Sequence, residues 1–300
     1  MVAVIGATGN TGKVVAETLL ARGQKVRVIG RDPERLVPQV RKGAEAWVGE
    51  ASDAAALTKA FAGARAVYVM IPPNLASPDM RAYQEKVSDA QAQAIAQTGV
   101  EYAVLLSSVG ADKPEKTGPV LGLRLFEEKL NGNSRLNALY IRAGYFMENL
   151  LAQVTVIKNF GIVGGPLRAD LALPMIAARD VGAFSAQALL QLDFQGKRTV
   201  ELLGQRDLDY REAAAVIGKA IGKPGLSYSQ LPAWQLKPAL AAMGMSTSMA
   251  DALLEMSEAL NSGYMRPLES RSAANTTTTS FEQFVAGHFV PLFTGKAAGA

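Results

Sequence analysis

A glycine-rich segment near the start of the chain constrains the fold more than any other feature of the sequence. An apolar run at residues 2–5 precedes Gly6-Ala7-Thr8-Gly9-Asn10-Thr11-Gly12, and residues 11–22 have the apolar spacing of a helix. Such glycines permit a tight turn and close backbone approach to a pyrophosphate, which then faces the helix N-terminus. The segment therefore predicts a dinucleotide-binding βαβ unit. We expect the cofactor to contact Gly6, Thr8, Gly9, Asn10, Thr11 and Gly12.

Strands and helices continue to alternate up to residue 142. Further strands are predicted at residues 25–30, 46–48, 66–71, 101–107 and 136–142, and further helices at residues 53–61, 79–98 and 119–130. Alternation of this kind requires crossover connections, and crossovers give a parallel sheet with helices on both faces. The predicted fold class is α/β, with a Rossmann-type doubly wound parallel sheet and a smaller mixed C-terminal lobe.

The pattern changes after residue 142. Glycines and a proline at residues 161–166 predict a loop; strands are predicted at residues 198–203 and 226–231, and helices at residues 180–192, 209–221, 233–242, 248–261 and 281–293. We expect a cofactor-binding Rossmann domain at residues 1–150. A smaller substrate or partner lobe is expected at residues 151–300, and some of its segments can still return to the first sheet. Residues 270–280 are expected to form a loop and residues 295–300 to fray.

The end of the second strand distinguishes NADP from NAD. NAD-binding versions carry an acidic residue there, about twenty positions after the glycine motif, to hold the ribose hydroxyl. Here the strand ends at Gly30 and Arg31 follows, whose guanidinium can bind a 2′-phosphate, with Arg35 one turn later as a helper. Asp32 is the competing ribose ligand, but Asp32-Pro33 is a typical helix N-cap arrangement. The sequence predicts NADP(H) bound by Arg31; a merely solvated Arg31 is the alternative.

Composition narrows the remaining chemistry. The net charge of +4 comes from 31 basic and 27 acidic residues that are scattered, so no nucleic-acid partner is expected. Without cysteine, and with His288 as the single histidine, the chain cannot form disulfides, a Cys–His nucleophile pair or a Cys- and His-based zinc site, and no metal is expected. Neither a signal-like start nor a membrane-length apolar stretch is present, so we expect a cytoplasmic protein without membrane association.

Five segments occur in a specific order: Gly6-Ala7-Thr8-Gly9-Asn10-Thr11-Gly12, Arg31-Asp32-Pro33, Ser107-Ser108-Val109-Gly110-Ala111, Arg142-Ala143-Gly144-Tyr145-Phe146-Met147-Glu148-Asn149 and Arg179-Asp180-Val181. With this ordered set the chain resembles the NmrA-like family, an atypical branch of the short-chain dehydrogenase/reductase superfamily. The resemblance covers nearly the whole chain. It implies an NADP-preferring Rossmann domain, a small C-terminal lobe and, between them, a cleft for a small molecule or a regulatory partner.

The resemblance also implies site residues beyond the glycine-rich segment. Ile71-Pro72-Pro73-Asn74, after the fourth strand, should run past the cofactor. Ser107 and Ser108, at the end of the fifth strand, should lie near the nicotinamide. Phe146 and Asn149 should lie close by, across the cleft. The alternative for Phe146 and Asn149 is that they belong to a helix that only covers the sheet edge.

The chain departs from the superfamily in its acid–base groups. Classical members use Tyr-x-x-x-Lys, yet none of the eight tyrosines has a lysine four residues later. Leu123 and Arg124 stand where related reductases often carry polar catalytic groups. No base can be placed beside Ser107 and Ser108 from the sequence, and the adjacent Glu127 and Glu128 diverge by about 100° on a helix, which favours a solvated face. No catalytic residue is therefore assigned.

Two functions from different classes remain. In the first, the protein is an NADPH-dependent oxidoreductase that delivers a hydride to a small acceptor. A quinone suits it better than a ketone, because hydride addition to a quinone gives a delocalised phenolate that needs no positioned acid. In the second, the protein binds NADP(H) without turnover and reports its redox state to a protein partner. The residues at positions 123 and 124 favour the second reading, while the cofactor loop is compatible with both.

Overall fold

The computed structural model describes residues 1–295. The expectation that residues 295–300 fray therefore falls outside the described residues, except at residue 295. Its strands are β1 (Val2–Ile5), β2 (Val26–Gly30), β3 (Glu45–Val48), β4 (Ala66–Val69), β5 (Tyr102–Ser108), β6 (Asn137–Ala143), β7 (Tyr145–Phe146), β8 (Val163–Gly165), β9 (Leu173–Ile176), β10 (Lys197–Leu202), β11 (Arg206–Leu208) and β12 (Tyr228–Gln230). The helices are α1 (Asn10–Ala21), α2 (Pro33–Arg41), α3 (Ala54–Phe61), α4 (Met80–Thr98), α5 (Val120–Asn131), α6 (Gln153–Phe160), α7 (Ala178–Gln191), α8 (Tyr210–Ala220), α9 (Ala233–Ala242), α10 (Thr247–Asn261), α11 (Phe281–Phe284) and α12 (Val290–Thr294).

A seven-stranded parallel sheet forms the centre of the molecule, in the order β3-β2-β1-β4-β5-β6-β10. Each neighbouring pair in this sheet is parallel. The strand order reverses between β1 and β4, and ligands of open α/β sheets bind beyond the carboxyl ends of the strands at such a reversal. The predicted Rossmann-type α/β fold is confirmed.

Helices cover both faces of this sheet. One core cluster includes Val15 and Leu19 of α1 together with Val181 and Leu189 of α7. The opposite cluster contains side chains from α3, α4 and α5. The crossing of α1 and α7 is close at Gly182, where an added β-carbon would lie 2.7 Å from the Val14 Cβ and 2.8 Å from the Thr11 carbonyl oxygen. Only glycine fits at that position, so α7 packs directly on α1.

The remaining strands form two small sheets beyond the carboxyl ends of the central strands. In one, β9 pairs in parallel with β7 and antiparallel with β11; in the other, β8 pairs in parallel with β12. A separate core cluster, which includes the fully buried Ile157, Ile217 and Phe281, supports this region. Chain order does not follow this spatial division, because β10 and α7 lie with the central sheet. The boundary at residue 150 stays a prediction.

The helices and strands predicted for the C-terminal half are present. The structure adds elements that the sequence analysis did not predict, among them α6, β7, β9 and β11, and two predicted segments differ. The segment expected to be a loop at residues 161–166 contains β8, whose three residues include two glycines and therefore have no readable apolar alternation. The terminal helix contains a π turn, Val285–Phe289, between α11 and α12, and His288 is exposed on it beside the Phe284 ring. Across residues 1–295, no helix is long and apolar enough to cross a membrane.

Candidate cofactor and acceptor site

The glycine-rich segment folds into a tight turn between β1 and α1. Gly6 adopts a φ of +69°, and the Gly9 N–H donates to its carbonyl oxygen over 2.9 Å. A β-carbon on Gly12 would lie 2.4 Å from that same oxygen, so the turn can close only with glycine at position 12. Gly9 differs, because its added β-carbon would meet only the Gly6 oxygen, at 3.3 Å, and the residue is exposed.

The N-terminus of α1 is open to an anion. No side chain caps it, and no acidic residue lies in its first turn. The neighbouring helices α2, α3 and α4 differ, because Asp32, Asp53 and Asp79 accept backbone N–H bonds at their N-termini. The first-turn N–H groups of a helix favour negative charge, and an uncovered turn beside an exposed glycine fits a pyrophosphate. The residues present are therefore compatible with a dinucleotide.

Two buried side chains that the sequence analysis missed form hydrogen bonds to residues of this turn. The Tyr68 hydroxyl donates to the Thr11 hydroxyl over 2.9 Å, and Gln39 donates from its amide to the Ala7 carbonyl oxygen over 3.1 Å. Both are buried. Thr11 consequently turns its side chain towards the sheet and leaves only its backbone N–H for a phosphate. The i, i+3 spacing of Leu36 and Gln39 was the one available signal that Gln39 faces inward.

Basic side chains lie on the β2 side of the turn. Asp32 accepts the Glu34 N–H over 3.0 Å and so caps α2, as the Asp-Pro sequence predicts. Arg31 is exposed, and Arg35 donates to the carbonyl oxygen of Thr8 over 3.3 Å. Both guanidinium groups therefore belong to the segment beside the glycine-rich turn, where a ribose phosphate would be expected. Their role as phosphate ligands stays a prediction.

Two pockets open at the carboxyl edge of the central sheet, and each has a volume of about 220 Å³. The loop-side pocket is lined by residues 70–74 after β4, by Ser107 and Ser108, and by Leu123, Phe146 and Met249 among others. The lobe-side pocket is lined by residues 143–146 and 171–174, by Asn149, and by Met256, Leu260, Met265 and Arg266 among others. Ser108 and Phe146 line both, so the pockets adjoin at these two residues.

This arrangement brings together most of the residues expected around the nicotinamide. Ile71, Pro72, Pro73, Ser107 and Ser108 all line the loop-side pocket. Phe146 lies between the two pockets, whereas Asn149 reaches only the lobe-side one. Whether a cofactor contacts them stays a prediction.

A buried ion pair lies directly behind Ser107 and corrects one expectation. The Ser107 hydroxyl donates to Glu127 Oε1 over 2.6 Å, and Arg142 donates to the two Glu127 carboxylate oxygens over 3.1 and 2.7 Å. Glu127 is only 5% exposed, so the predicted solvated face is wrong for it, although Glu128 is exposed as expected. The helix turns Glu127 onto the sheet, where its charge is matched by an arginine from β6. With both oxygens engaged, the carboxylate orients Ser107.

The helix that carries the Tyr-x-x-x-Lys pair in classical relatives has different contacts here. Leu123 contributes an apolar wall to the loop-side pocket. Arg124 turns away, donating to the Asp112 carbonyl oxygen over 2.9 Å and pairing with Glu128 at 2.7 Å. Neither residue offers a proton to the pocket.

Two further motif residues fasten the first turn of α7. The Glu148 carboxylate accepts the Ala178 N–H at 3.0 Å and so caps α7 from a distance. Asp180 accepts from the backbone N–H and the hydroxyl of Thr279, at 3.1 and 2.6 Å. The two carboxylates therefore connect α7 to the segment after β7 and to the segment before α11.

Three tyrosines cluster beside the lobe-side pocket, and the sequence analysis did not single them out. The Tyr210 hydroxyl donates to the Tyr145 hydroxyl over 2.8 Å, and the rings of Tyr210 and Tyr228 are 4.6 Å apart. Tyr145 lines the pocket; Tyr210 is buried behind it. Burial raises the pKa of the Tyr145 hydroxyl, and hydrogen bonds from Tyr210 and Asn149 oppose that shift. No sequence spacing indicates this cluster, because its members come from β7, α8 and β12.

Two curated relatives of the chain are named as reductases. A NAD(P)H azoreductase from Xenophilus azovorans is 28% identical over 258 residues, covering 85% of this chain and 86% of that protein. Quinone oxidoreductase 2 from Escherichia coli (strain K12) is 26% identical over 260 residues, again covering 85% and 86%.

Solved structures of other proteins share the fold of this chain. An NADPH-dependent quinone oxidoreductase from Escherichia coli, complexed with NADPH, superposes with a TM-score of 0.73 at 21% identity, covering 96% of this chain and all of that one (100%). A Citrobacter sp. triphenylmethane reductase complexed with NADP(H) superposes with a TM-score of 0.77 at 17% identity, covering 94% of this chain and 98% of that one.

The model of the NmrA-like family matches residues 1–285, and the chain belongs to that family.

Proposed function

We propose that this protein is an NADPH-dependent oxidoreductase that reduces a quinone or a similar small acceptor. One observation carries the proposal: two largely apolar pockets adjoin at Ser108 and Phe146, at the strand edge that also carries the open glycine turn. A reductase of this kind has to bring a dinucleotide and a flat acceptor together in a dry cleft. The names of two curated relatives, an azoreductase and a quinone oxidoreductase, support the same class of reaction.

The chain offers a continuous set of groups for the cofactor. The backbone at Gly6, Gly9 and Gly12 and the first turn of α1 would hold the pyrophosphate, with Thr8 and Asn10 beside them. Arg31 and Arg35 would bind the 2′-phosphate of NADP through charge-assisted hydrogen bonds. Residues 71–73 together with Ser107 and Ser108 would border the nicotinamide. When bound, NADPH supplies the hydride.

The acid–base groups of the cleft favour a quinone over a simple ketone. A ketone becomes a basic alkoxide and needs a positioned proton donor, but Leu123 lines the pocket on the helix that usually provides one. A quinone becomes a delocalised phenolate, which solvent can protonate later. The residues of the cleft therefore need to orient the acceptor and exclude water, and the apolar lining does both.

Residues 1–150 would then provide most of the cofactor site, and much of the acceptor pocket would come from residues 151–300. A small molecule is the partner that this cleft fits. We keep the boundary near residue 150 as a working division, because β10 and α7 come from the second segment and join the first sheet.

The decisive experiment is NADPH oxidation by the purified protein, measured with a panel of benzoquinones, naphthoquinones, azo dyes and aldehydes. We expect turnover with quinones or azo dyes, none with aldehydes, and none with the Gly9→Val variant as cofactor-site control. If no acceptor is reduced while NADPH binds tightly, the oxidoreductase proposal is wrong. That result would support a non-catalytic NADP(H) sensor with a protein partner.

A further inference from the structure

Tyr145 lies at the boundary between a buried hydrogen-bond donor and an open pocket. It begins β7, one residue beyond the end of β6, and contributes to the wall of the lobe-side pocket. Behind it, the Tyr210 hydroxyl donates to the Tyr145 oxygen over 2.8 Å, and Tyr210 itself is only 5% exposed. The exposed Asn149 lines the same pocket as Tyr145. The Tyr145 oxygen thus has a buried donor behind it and the pocket in front of it.

The direction of the bond from Tyr210 leaves the Tyr145 proton available. Tyr210 uses its single proton on Tyr145, so the Tyr145 oxygen acts as an acceptor there. A hydroxyl that accepts hydrogen bonds becomes a stronger donor, because the bonds polarise one another in a low-dielectric site.

The rest of the pocket provides few other polar side chains. Its walls include Leu171, Leu173, Met256 and Leu260, and its other polar side chains are Ser108, Asn149 and Arg266. The Ser108 hydroxyl donates to the carbonyl oxygen of Val109 over 3.0 Å. An acceptor oxygen that enters this pocket can therefore accept a hydrogen bond from Tyr145, the neutral donor that Tyr210 holds in place.

We propose that the Tyr145 hydroxyl donates a hydrogen bond to the acceptor oxygen on which negative charge develops, and that Tyr210 positions and polarises it for that purpose. The inference rests on the proposed quinone-reductase function and assigns one catalytic and one positioning residue to it. No Tyr-x-x-x-Lys pair is involved, and the two tyrosines come from β7 and α8.

The chemistry balances without ionisation of Tyr145. When bound, NADPH would give up a hydride by cleavage of a C–H bond of its nicotinamide ring and become NADP⁺. The hydrogen would form an O–H bond with one quinone carbonyl, the π bond of that carbonyl would break, and the ring would become aromatic with the negative charge on the other oxygen, as a hydroquinone monoanion. Tyr145 keeps its proton and stabilises the anion through the hydrogen bond, and solvent later supplies the proton that completes the hydroquinone. A donor already oriented towards the developing charge needs little reorganisation during the reaction.

The first test compares three phenylalanine variants in NADPH-dependent quinone reduction. Tyr145→Phe should lower kcat/KM about ten- to a hundred-fold, the range for a hydrogen bond to a charged group. Tyr210→Phe should lower it about two- to tenfold, as expected for a neutral hydrogen bond. Tyr228→Phe is the matched control, because its hydroxyl donates to the Leu167 carbonyl oxygen over 2.7 Å and does not line the pocket. It should leave the rate unchanged, and NADPH affinity should be equal in all three.

The second test measures binding of substituted phenolates of graded pKa in the presence of NADP⁺, and needs no turnover. In the wild type, affinity should rise with phenolate basicity, and Tyr145→Phe should flatten that dependence. A variant that is only less well packed would lose affinity uniformly and keep the slope. Equal slopes in the wild type and Tyr145→Phe, or no phenolate binding at all, would overturn the inference. A flattened slope in a protein that reduces no acceptor would uphold the binding role of Tyr145 and refute the oxidoreductase proposal instead.

Discussion

The Ser107 Oγ lies 2.6 Å from Oε1 of Glu127, and both residues are nearly inaccessible to solvent. This contact joins the carboxyl end of β5 to α5, and Arg142 extends it to β6. The wall of the loop-side pocket therefore rests on a buried charge pair, and its geometry depends on that pair remaining intact.

We expect Glu127→Gln to destabilise the protein by about 3 kcal/mol, because it leaves the Arg142 charge buried without its counter-ion. Urea unfolding monitored by circular dichroism would measure this. Glu128→Gln on the adjacent residue removes only the exposed pair with Arg124 and should cost less than about 1 kcal/mol. Similar losses for the two variants would show that the buried pair has no special role.

Gly9→Val should abolish NADPH binding without unfolding the protein. An added β-carbon at this exposed position approaches only the Gly6 oxygen, at 3.3 Å, so the chain can accommodate it, but the side chain would occupy the space of the pyrophosphate. Calorimetric titration and circular dichroism would test both statements. Gly12→Ala is the contrasting variant and should lose folded protein, because its β-carbon would lie 2.4 Å from the Gly6 oxygen. Wild-type affinity in Gly9→Val would refute the phosphate site.

Arg31→Ala should weaken NADPH binding about ten- to a hundred-fold and leave NADH unchanged, because only NADPH has the 2′-phosphate. The wild-type preference should shrink as salt rises, since Arg31 is exposed and its charge is screened. Titrations of both cofactors at two salt concentrations would measure these effects. Arg41→Ala, at the far end of α2, serves as the control. Equal wild-type affinities, or tighter NADH binding, would assign the ribose to Asp32.

Acceptors with a carboxylate or sulfonate should be reduced more efficiently than neutral analogues. Arg266 is the one permanently charged side chain that lines the lobe-side pocket, and within residues 1–295 no carboxylate pairs with it. We expect Arg266→Ala to raise KM for an anionic naphthoquinone about tenfold and to leave that of the neutral parent unchanged. Steady-state kinetics on the two compounds decide the matter, and an equal change for both would exclude a direct charge contact.

Glu201→Gln should flatten part of the pH dependence of stability. Glu201 accepts the backbone N–H groups of Leu268 and Glu269, and burial raises the pKa of its carboxyl above the ordinary 4.5. Folding therefore favours the protonated form, and the stability that this form provides below pH 4.5 is lost as pH rises through the higher folded-state pKa. Glutamine mimics the protonated form. Its advantage over the wild type in urea unfolding should grow from pH 4 to pH 7, whereas the exposed Glu115→Gln should show no such trend.

The sequence predicted the part of the site that depends on local backbone geometry. Gly6 and Gly12 can be interpreted without coordinates, because the turn that they form closes within seven residues. Asp32 could likewise be identified as a cap from its following proline. The buried position of Glu127 could not be predicted, since its partner Arg142 comes from a strand fifteen residues away. The pair of Tyr145 and Tyr210 spans 65 residues, and periodicity contains no information at that range.

The return of β10 to the edge of β6 has a consequence for how the protein is made. The ribosome releases the chain from its N-terminus, and domains generally fold in that order. Here β6 has no neighbour on its outer side until residues 197–202 have been synthesised, and α1 is uncovered until α7 arrives at Gly182. Residues 1–150 therefore cannot complete their native packing while the residues that follow them are still being translated. A nascent chain stopped near residue 150 should expose apolar surface and attract chaperones, although it already contains the whole glycine-rich turn.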